Sequence, residues 1–169
     1  MNREHLIGQM MNNTKTILNL AQGVSADQAR WKPDDDSWSI LEVINHLYDE
    51  EREDFRVRLD IIFHHPEQPW PVIDPQGWIT DRQYNQRDFE ESVKDFLTER
   101  DKSLFWLQEL GLPKWETIYT SPFGQMSAGD MFAAWVGHDL LHIRQLVELH
   151  WAYTVRTVKP YRVDYAGDW

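Results

Sequence analysis

Four stretches of helical periodicity, set apart by breaks rich in proline and glycine, dictate what this chain can fold into. Leu6, Met10, Ile17 and Leu20 share one side of a helix over about residues 3–22, with Gly23 placed to stop it. Pro33 and the run Asp34-Asp35-Asp36 then break the chain. Ser39 followed by Glu42 is a capping-box pattern, and it opens a second helix over about 40–63 carried by Ile40, Val43, Ile44, Leu47 and Phe55. Residues 64–82 hold Pro66, Pro69, Pro71, Pro75 and Gly77 and read as a long connection. A third helix, about 85–110, carries Phe89, Val93, Phe96, Leu97, Leu104 and Leu107 and ends at Gly111. Pro113, Pro122 and Gly124 mark a second link, with a short extended piece over 115–120. Ser127 and Asp130 repeat the capping pattern at the head of a fourth helix, about 127–151. The tail, 152–169, has no helical period; Tyr161-Arg162-Val163-Asp164-Tyr165 alternates like a strand, and the segment is expected to pack over the helices, with Arg156, Lys159 and Arg162 able to meet an anion. Helices of this length must bury their stripes against one another, so the expected fold is all-α, a four-helix bundle forming a single domain over 1–169. The link between helices two and three is long enough to cross the bundle, so the order need not be simple up-down-up-down.

Charge and composition narrow the function. Lys and Arg number 17 against 28 Asp and Glu, a net charge of −11. That sign argues against nucleic acid or an anionic membrane as partner, both of which reward clustered cations. No window is apolar enough to span a membrane, and the first residues lack a secretory apolar run, so the expected location is cytoplasmic. Cysteine is absent, which removes thiolate metal sites and a cysteine nucleophile.

Seven histidines remain as nitrogen ligands. His138 and His142 are one helical turn apart, about 40° on the helical wheel, so both rings can reach one ion. Chance alone yields roughly 0.24 such pairs in a chain of this composition, so position must add to spacing. At about 100° per residue from Phe132, His138 and His142 fall at about 240° and about 280°, on the flank of the apolar sector beside Trp135 and Leu149. Counted from Ile40, His46 falls at about 240° and Glu50 at about 280°, the matching flank of helix two. Brought together, His46, His138 and His142 form a three-nitrogen site with an open position, the arrangement of catalytic zinc and one that suits nickel or iron. Glu51 falls at about 20° and Asp54 at about 320°, both inside the apolar sector. Each needs a partner there: a ligating histidine's second nitrogen or an arginine across the bundle. The alternative from spacing is that the histidines are hydrogen-bonded flank residues; His5, His64, His65 and His150 are assigned to that class.

Three stretches carry a resemblance. They are Trp38-Ser39-Ile40-Leu41-Glu42-Val43-Ile44-Asn45-His46-Leu47 with Glu51 five beyond the histidine, Gly137-His138-Asp139 leading to His142, and Gln145 three further on. In this order they resemble the DinB-like superfamily, which includes the YfiT-type proteins named as metal-dependent hydrolases. The likeness covers about residues 3–151 and leaves the tail outside. It implies a four-helix bundle, often a homodimer, with a divalent metal held by His46, His138 and His142. Relatives of the fold use the metal to activate a low-molecular-weight thiol for transfer or isomerisation, and others are called hydrolases. The expected function is therefore a metal-dependent hydrolase or thiol transferase acting on a small molecule, with Glu50 or Asp139 as the general base. The competing reading is a bundle that binds a metal or senses a small ligand without catalysis. A zincin-like protease is set aside, because the motif carries Asp139 where that chemistry uses the longer glutamate.

Overall fold

The computed structural model describes residues 2–121 and 124–167. Its elements are α1 (Arg3–Ala21), α2 (Ala26–Arg30), α3 (Ile40–Glu50), a π-helical turn (Glu51–Phe55), α4 (Arg56–His64), α5 (Pro75–Asp81), a 3-10 turn (Tyr84–Gln86), α6 (Phe89–Glu109), β1 (Ile118–Ser121), β2 (Gly124–Ser127), α7 (Ala128–Thr157) and a 3-10 turn (Asp164–Ala166). Local chemistry sets the boundaries. The Asn2 side chain accepts from the His5 amide at the head of α1, and Gly23, at φ +77°, takes the left-handed turn that ends it. Both expected capping boxes are present, Ser39 with Glu42 and Ser127 with Asp130. Asp88 caps α6, whose start is Phe89 rather than residue 85 because the preceding residues close a 3-10 turn.

The four long elements bury two apolar clusters. One gathers Ile7 and Met10 of α1, Phe55 to Ile62 of the π turn and α4, Leu107 of α6 and Phe132 to Val136 of α7. The other gathers Ile17 and Ala21, Ile40 to Leu47, Phe89 and Phe96, and Leu146 and Leu149. Since α1 and α7 run from the first cluster to the second while α3–α4 and α6 run from the second to the first, each pair is parallel within itself and opposed to the other. The tightest neighbours are α3 with α6 and α1 with α7. A parallel α3–α6 pair requires the intervening chain to travel back along α3, which is the crossing that the link's length permitted. That return is pinned: the Tyr84 hydroxyl donates to Asp49 Oδ2 at 2.6 Å, Arg82 pairs with Asp49 at 2.6 Å and with Glu53 at 2.8 Å, and Arg87 donates to Asn45 at 2.8 Å.

Several expectations are corrected. The 64–82 link contains a helix, α5, because Asp74 accepts from the Gly77 amide and Pro75 occupies its first turn. The second link forms an antiparallel hairpin, Ile118 opposite Ser127 and Ser121 opposite Gly124. The fourth helix runs six residues past 151 to Thr157, so the irregular tail is shorter than expected. Within the tail, Tyr161 and Tyr165 are exposed and the strand-like alternation closes a 3-10 turn instead, so among the described residues these two rings do not pack over the bundle. Arg156 lies over the Trp31 ring, and Arg162 pairs with Asp164 at 3.5 Å. Pro122, Asp168 and Trp169, which belonged to the second link and the tail, lie outside the described residues. Among the described residues, no helix is long and apolar enough to cross a membrane.

Candidate metal centre

Between the two apolar clusters lies a polar waist to which all four long elements contribute. Arg100 of α6, 1% exposed, is its hub. Its Nε donates to Glu51 Oε1 at 2.7 Å, its Nη1 to Asp139 Oδ2 at 2.8 Å and its Nη2 to Asp139 Oδ1 at 2.6 Å. From α1, Asn13 donates to Asp139 at 3.3 Å and the Thr14 hydroxyl accepts from Arg100 at 3.3 Å. Trp135 Nε1 completes the set by donating to Glu51 Oε1 at 2.8 Å. Burial pulls the Arg100 guanidinium down, but the Glu51 and Asp139 carboxylates outweigh it and hold the group above its ordinary value. The arginine across the bundle expected for Glu51 is therefore present. Asp54 takes its partner from its own helix, Arg58 at 2.5 Å, and interacts with Glu50.

Beside this waist the structure brings the three singled-out histidines together. Ligand atoms of His46, His138 and His142 all lie within 4.8 Å of one another. His138 Nε2 stands 3.3 Å from His46 Nε2 and 3.1 Å from His142 Nε2. Nitrogens bound about 2.0–2.1 Å from one tetrahedral ion stand roughly 3.3–3.4 Å apart, so these edges are near ligation spacing. His142 Nδ1 faces Gln145 Oε1 at 2.8 Å; with the amide oxygen accepting, the Nδ1 proton is used and Nε2 is bare. His138 Nε2 faces two nitrogens and carries at most one proton, so it can serve one of them only. A nitrogen lone pair is left facing another nitrogen, a mismatch that a cation resolves.

Electrostatics agrees. Burial, followed by the neighbouring His142, lowers His46 to about 3; burial, followed by His142, His46 and Arg100, lowers His138 to about 2. Burial also lowers His142, with Gln145 opposing. All three are neutral near pH 7, the form that ligates. Aromatic rings surround them: Trp38 stacks on His142 at 6.1 Å and meets His46 edge-on at 4.9 Å, while Phe55 packs on His138 at 5.0 Å and stacks on Trp135 at 5.8 Å.

The two carboxylates expected as general bases have different surroundings. Glu50, one turn beyond His46, is buried, and burial together with the Asp54 charge raises it to about 9. Asp139 is fully buried with both oxygens on Arg100. The remaining histidines lie outside the group: His150 bonds Gln28 and the Leu20 carbonyl, and His64 bonds Asp60. Sequence reasoning missed Arg100, although it stands between Phe96 and Leu107 on the buried stripe of α6.

A pH dependence follows from these shifts. The unfolded chain protonates histidine near pH 6.5, whereas folded His46 and His138 stay neutral to about 3 and about 2. Their contribution to stability is complete above the unfolded value and is lost as pH falls from there toward the folded values. Glu50 acts in the opposite sense, contributing below its unfolded value and losing that contribution as pH rises through about 9. In metal-free Glu50→Gln protein, which lacks that opposition, lowering pH from about 7 to about 5.5 is expected to cost ~1 kcal/mol for each of His46 and His138. Urea unfolding at the two pH values measures it, and an unchanged midpoint would contradict imidazoles held neutral at these two positions.

Comparison with known proteins accords with this architecture. YfiT from Bacillus subtilis, described as a probable metal-dependent hydrolase with an unusual four-helix bundle topology, matches with a TM-score of 0.79 and 14% sequence identity over 90% of this chain and 87% of that chain. No curated protein matches the sequence. The model of the DinB superfamily matches residues 9–146, a span that takes in the three histidines, Gln145 and the whole polar waist, and the chain belongs to that superfamily.

Proposed function

We propose that this protein is a metal-dependent hydrolase of a small molecule, with His46, His138 and His142 as the ligands of one divalent ion. The convergence of three neutral imidazole nitrogens, His46 buried and His138 and His142 partly buried, carries the reading. A nitrogen set of this kind favours zinc or nickel and accepts iron. When bound, the ion supplies Lewis acidity at a coordination position that the protein leaves open. The chain's own residues do the rest. Gln145 fixes the His142 tautomer, and the rings of Trp38 and Phe55 exclude bulk water. Glu50 keeps its proton in a site made costly for charge by burial and by Asp54, which Arg58 holds. It can pass that proton to the leaving group as the scissile bond breaks and recover one from the attacking water. Asp139, fully engaged with Arg100, positions α7 rather than moving protons. Because the chain has no cysteine, a thiol nucleophile in place of water would have to arrive as a cosubstrate.

The test is turnover of a panel of esters, amides and thioesters by metal-loaded protein, with and without chelator and with and without an added small thiol. Chelator-sensitive hydrolysis is expected, and Glu50→Gln should retain the metal while kcat falls about 10²–10⁴-fold with KM little changed. Turnover that requires the thiol would assign a transferase. Metal-loaded protein inert towards the whole panel would favour the non-catalytic reading.

A further inference from the structure

A groove of about 440 Å³ opens beside the histidine cluster, between the segment ahead of α3 and the C-terminal half of α7. Trp38, Trp151 and Leu149 give it apolar walls, Asp36 and Glu148 give it charge, and Gln145 lines it as well. Two of these residues belong to the histidine cluster: Trp38 contacts His46 and His142, and Gln145 accepts from His142 Nδ1. A molecule lying in the groove is therefore one side chain away from the ligand nitrogens.

The groove's chemistry selects by charge. No Lys, Arg or His lines it. The cations nearby are engaged elsewhere: Lys32 pairs with Glu42 at 2.9 Å, and Arg156 lies over the Trp31 ring. Arg144 reaches Glu148 only at 3.3 Å, in a contact where both side chains are largely exposed, so that pair is weak and a stronger cation can displace it. Among the described residues, the Asp36 carboxylate takes no ion pair or hydrogen bond; the turn is held instead by Asp34, which accepts from the amides of Asp36 and Ser37. The Trp38 indole attracts a cation through its ring quadrupole, and two carboxylates without a firm partner add to that attraction while repelling anions. A neutral alkyl group would gain the apolar contact alone.

We propose that this groove binds an ammonium or quaternary ammonium group of the substrate, with the reacting carbonyl extending past Trp38 to the three histidines. The proposal rests on the hydrolase reading and specifies its substrate class: esters or amides that carry a fixed positive charge on one side of the scissile bond.

Choline and its uncharged tert-butyl analogue serve as probes, titrated by calorimetry or ligand-observed NMR into metal-loaded protein, with metal content measured on the same samples. Choline is expected to bind about tenfold more tightly than the analogue, and added salt should narrow the gap. The double variant Asp36→Asn/Glu148→Gln, which keeps the shape of two exposed side chains, should bring the two probes to equal affinity without loss of metal. Equal affinity of the probes in the unsubstituted protein, or a preference for choline that survives in the double variant, would overturn the proposal. The two ideas fail separately. Chelator-sensitive hydrolysis without a cation preference would remove the groove's role and leave the hydrolase reading, whereas a charge-dependent preference for choline in protein that holds no metal would do the reverse.

Discussion

Replacing His138 with alanine should take the protein from about one tightly held divalent ion per chain to less than about a tenth of that after dialysis. His138 is the most consequential of the three because it is common to both short nitrogen pairs, 3.3 Å to His46 and 3.1 Å to His142. Without it, the two remaining imidazoles face each other across a gap and offer an ion two ligands instead of three. The effect on stability should mirror the loss. An ion that binds only the folded state stabilises it by about 2.7 kcal/mol at a hundredfold excess over the dissociation constant. For a chain of this size that corresponds to a rise of about 5–10 °C in Tm. The parent protein should show this rise on adding zinc or nickel, and His138→Ala should not. His46→Ala should behave like His138→Ala, while His150→Ala, whose ring is held by Gln28 and Leu20 outside the cluster, should keep both metal and Tm shift. Elemental analysis with thermal melts decides the matter. Unchanged metal content in His138→Ala and His46→Ala would dismiss the three-histidine site.

The helical wheel places these three histidines on matching flanks because α3 and α7 are regular where it counts. His46 lies five residues before the start of the π turn at Glu51, so its phase is not disturbed. Glu51 and Asp54 also stand out in the sequence, as carboxylates on an apolar face, and both have partners in the structure. Their environment is less legible, since the π turn over Glu51–Phe55 inserts an extra residue and rotates everything after it. Nothing in the periodicity marks that turn; its hydrogen bonding answers to the packing of Glu51 on Arg100 and Trp135. Arg100 was legible in principle. It occupies the apolar stripe of α6 at a position flanked by Phe96, Ser103 and Leu107. Asp139 falls at about 340° on the α7 wheel, amid the apolar sector. Reading the stripes for their apolar members alone passes over both. Helices α2 and α5 escape notice for another reason, because segments of five and seven residues carry too little period to separate from a loop. The tail misleads by its alternation, which needs a neighbouring strand to become a sheet and has none among the described residues.

The largest loss of stability is expected from Arg100→Leu, about 3–5 kcal/mol at neutral pH. The guanidinium meets Glu51 and Asp139 through three hydrogen bonds of 2.6–2.8 Å, and all three residues are at most 1% exposed. An apolar replacement strands two carboxylates in the space between the apolar clusters, close enough to have shared one cation. Two other arginines of the bundle, Arg56 and Arg58, are committed to Glu99 and Asp54 and so do not replace the lost cation. To stay buried, at least one stranded carboxyl must hold a proton. Its folded-state pKa then rises above its unfolded value, so the variant should be least damaged near about pH 5 and lose further stability as pH rises toward about 8. The parent, with the cation in place, should lack this added loss and keep only the fall with rising pH that Glu50 contributes. Urea midpoints at fixed m-value across this range measure the difference. The network also supports the histidines, because Glu51 holds Trp135, Trp135 stacks on Phe55, and Phe55 packs on His138. Arg100→Leu should therefore weaken metal binding without touching a ligand. Replacing Arg100, Glu51 and Asp139 together by apolar residues of similar volume separates the two roles. Removing every charge at once should restore most of the stability, while metal affinity stays below that of the parent because Trp135 has lost its acceptor. A loss under about 1 kcal/mol in Arg100→Leu, or a pH profile parallel to the parent's, would show that the waist tolerates bare carboxylates and that Arg100 is not its hub.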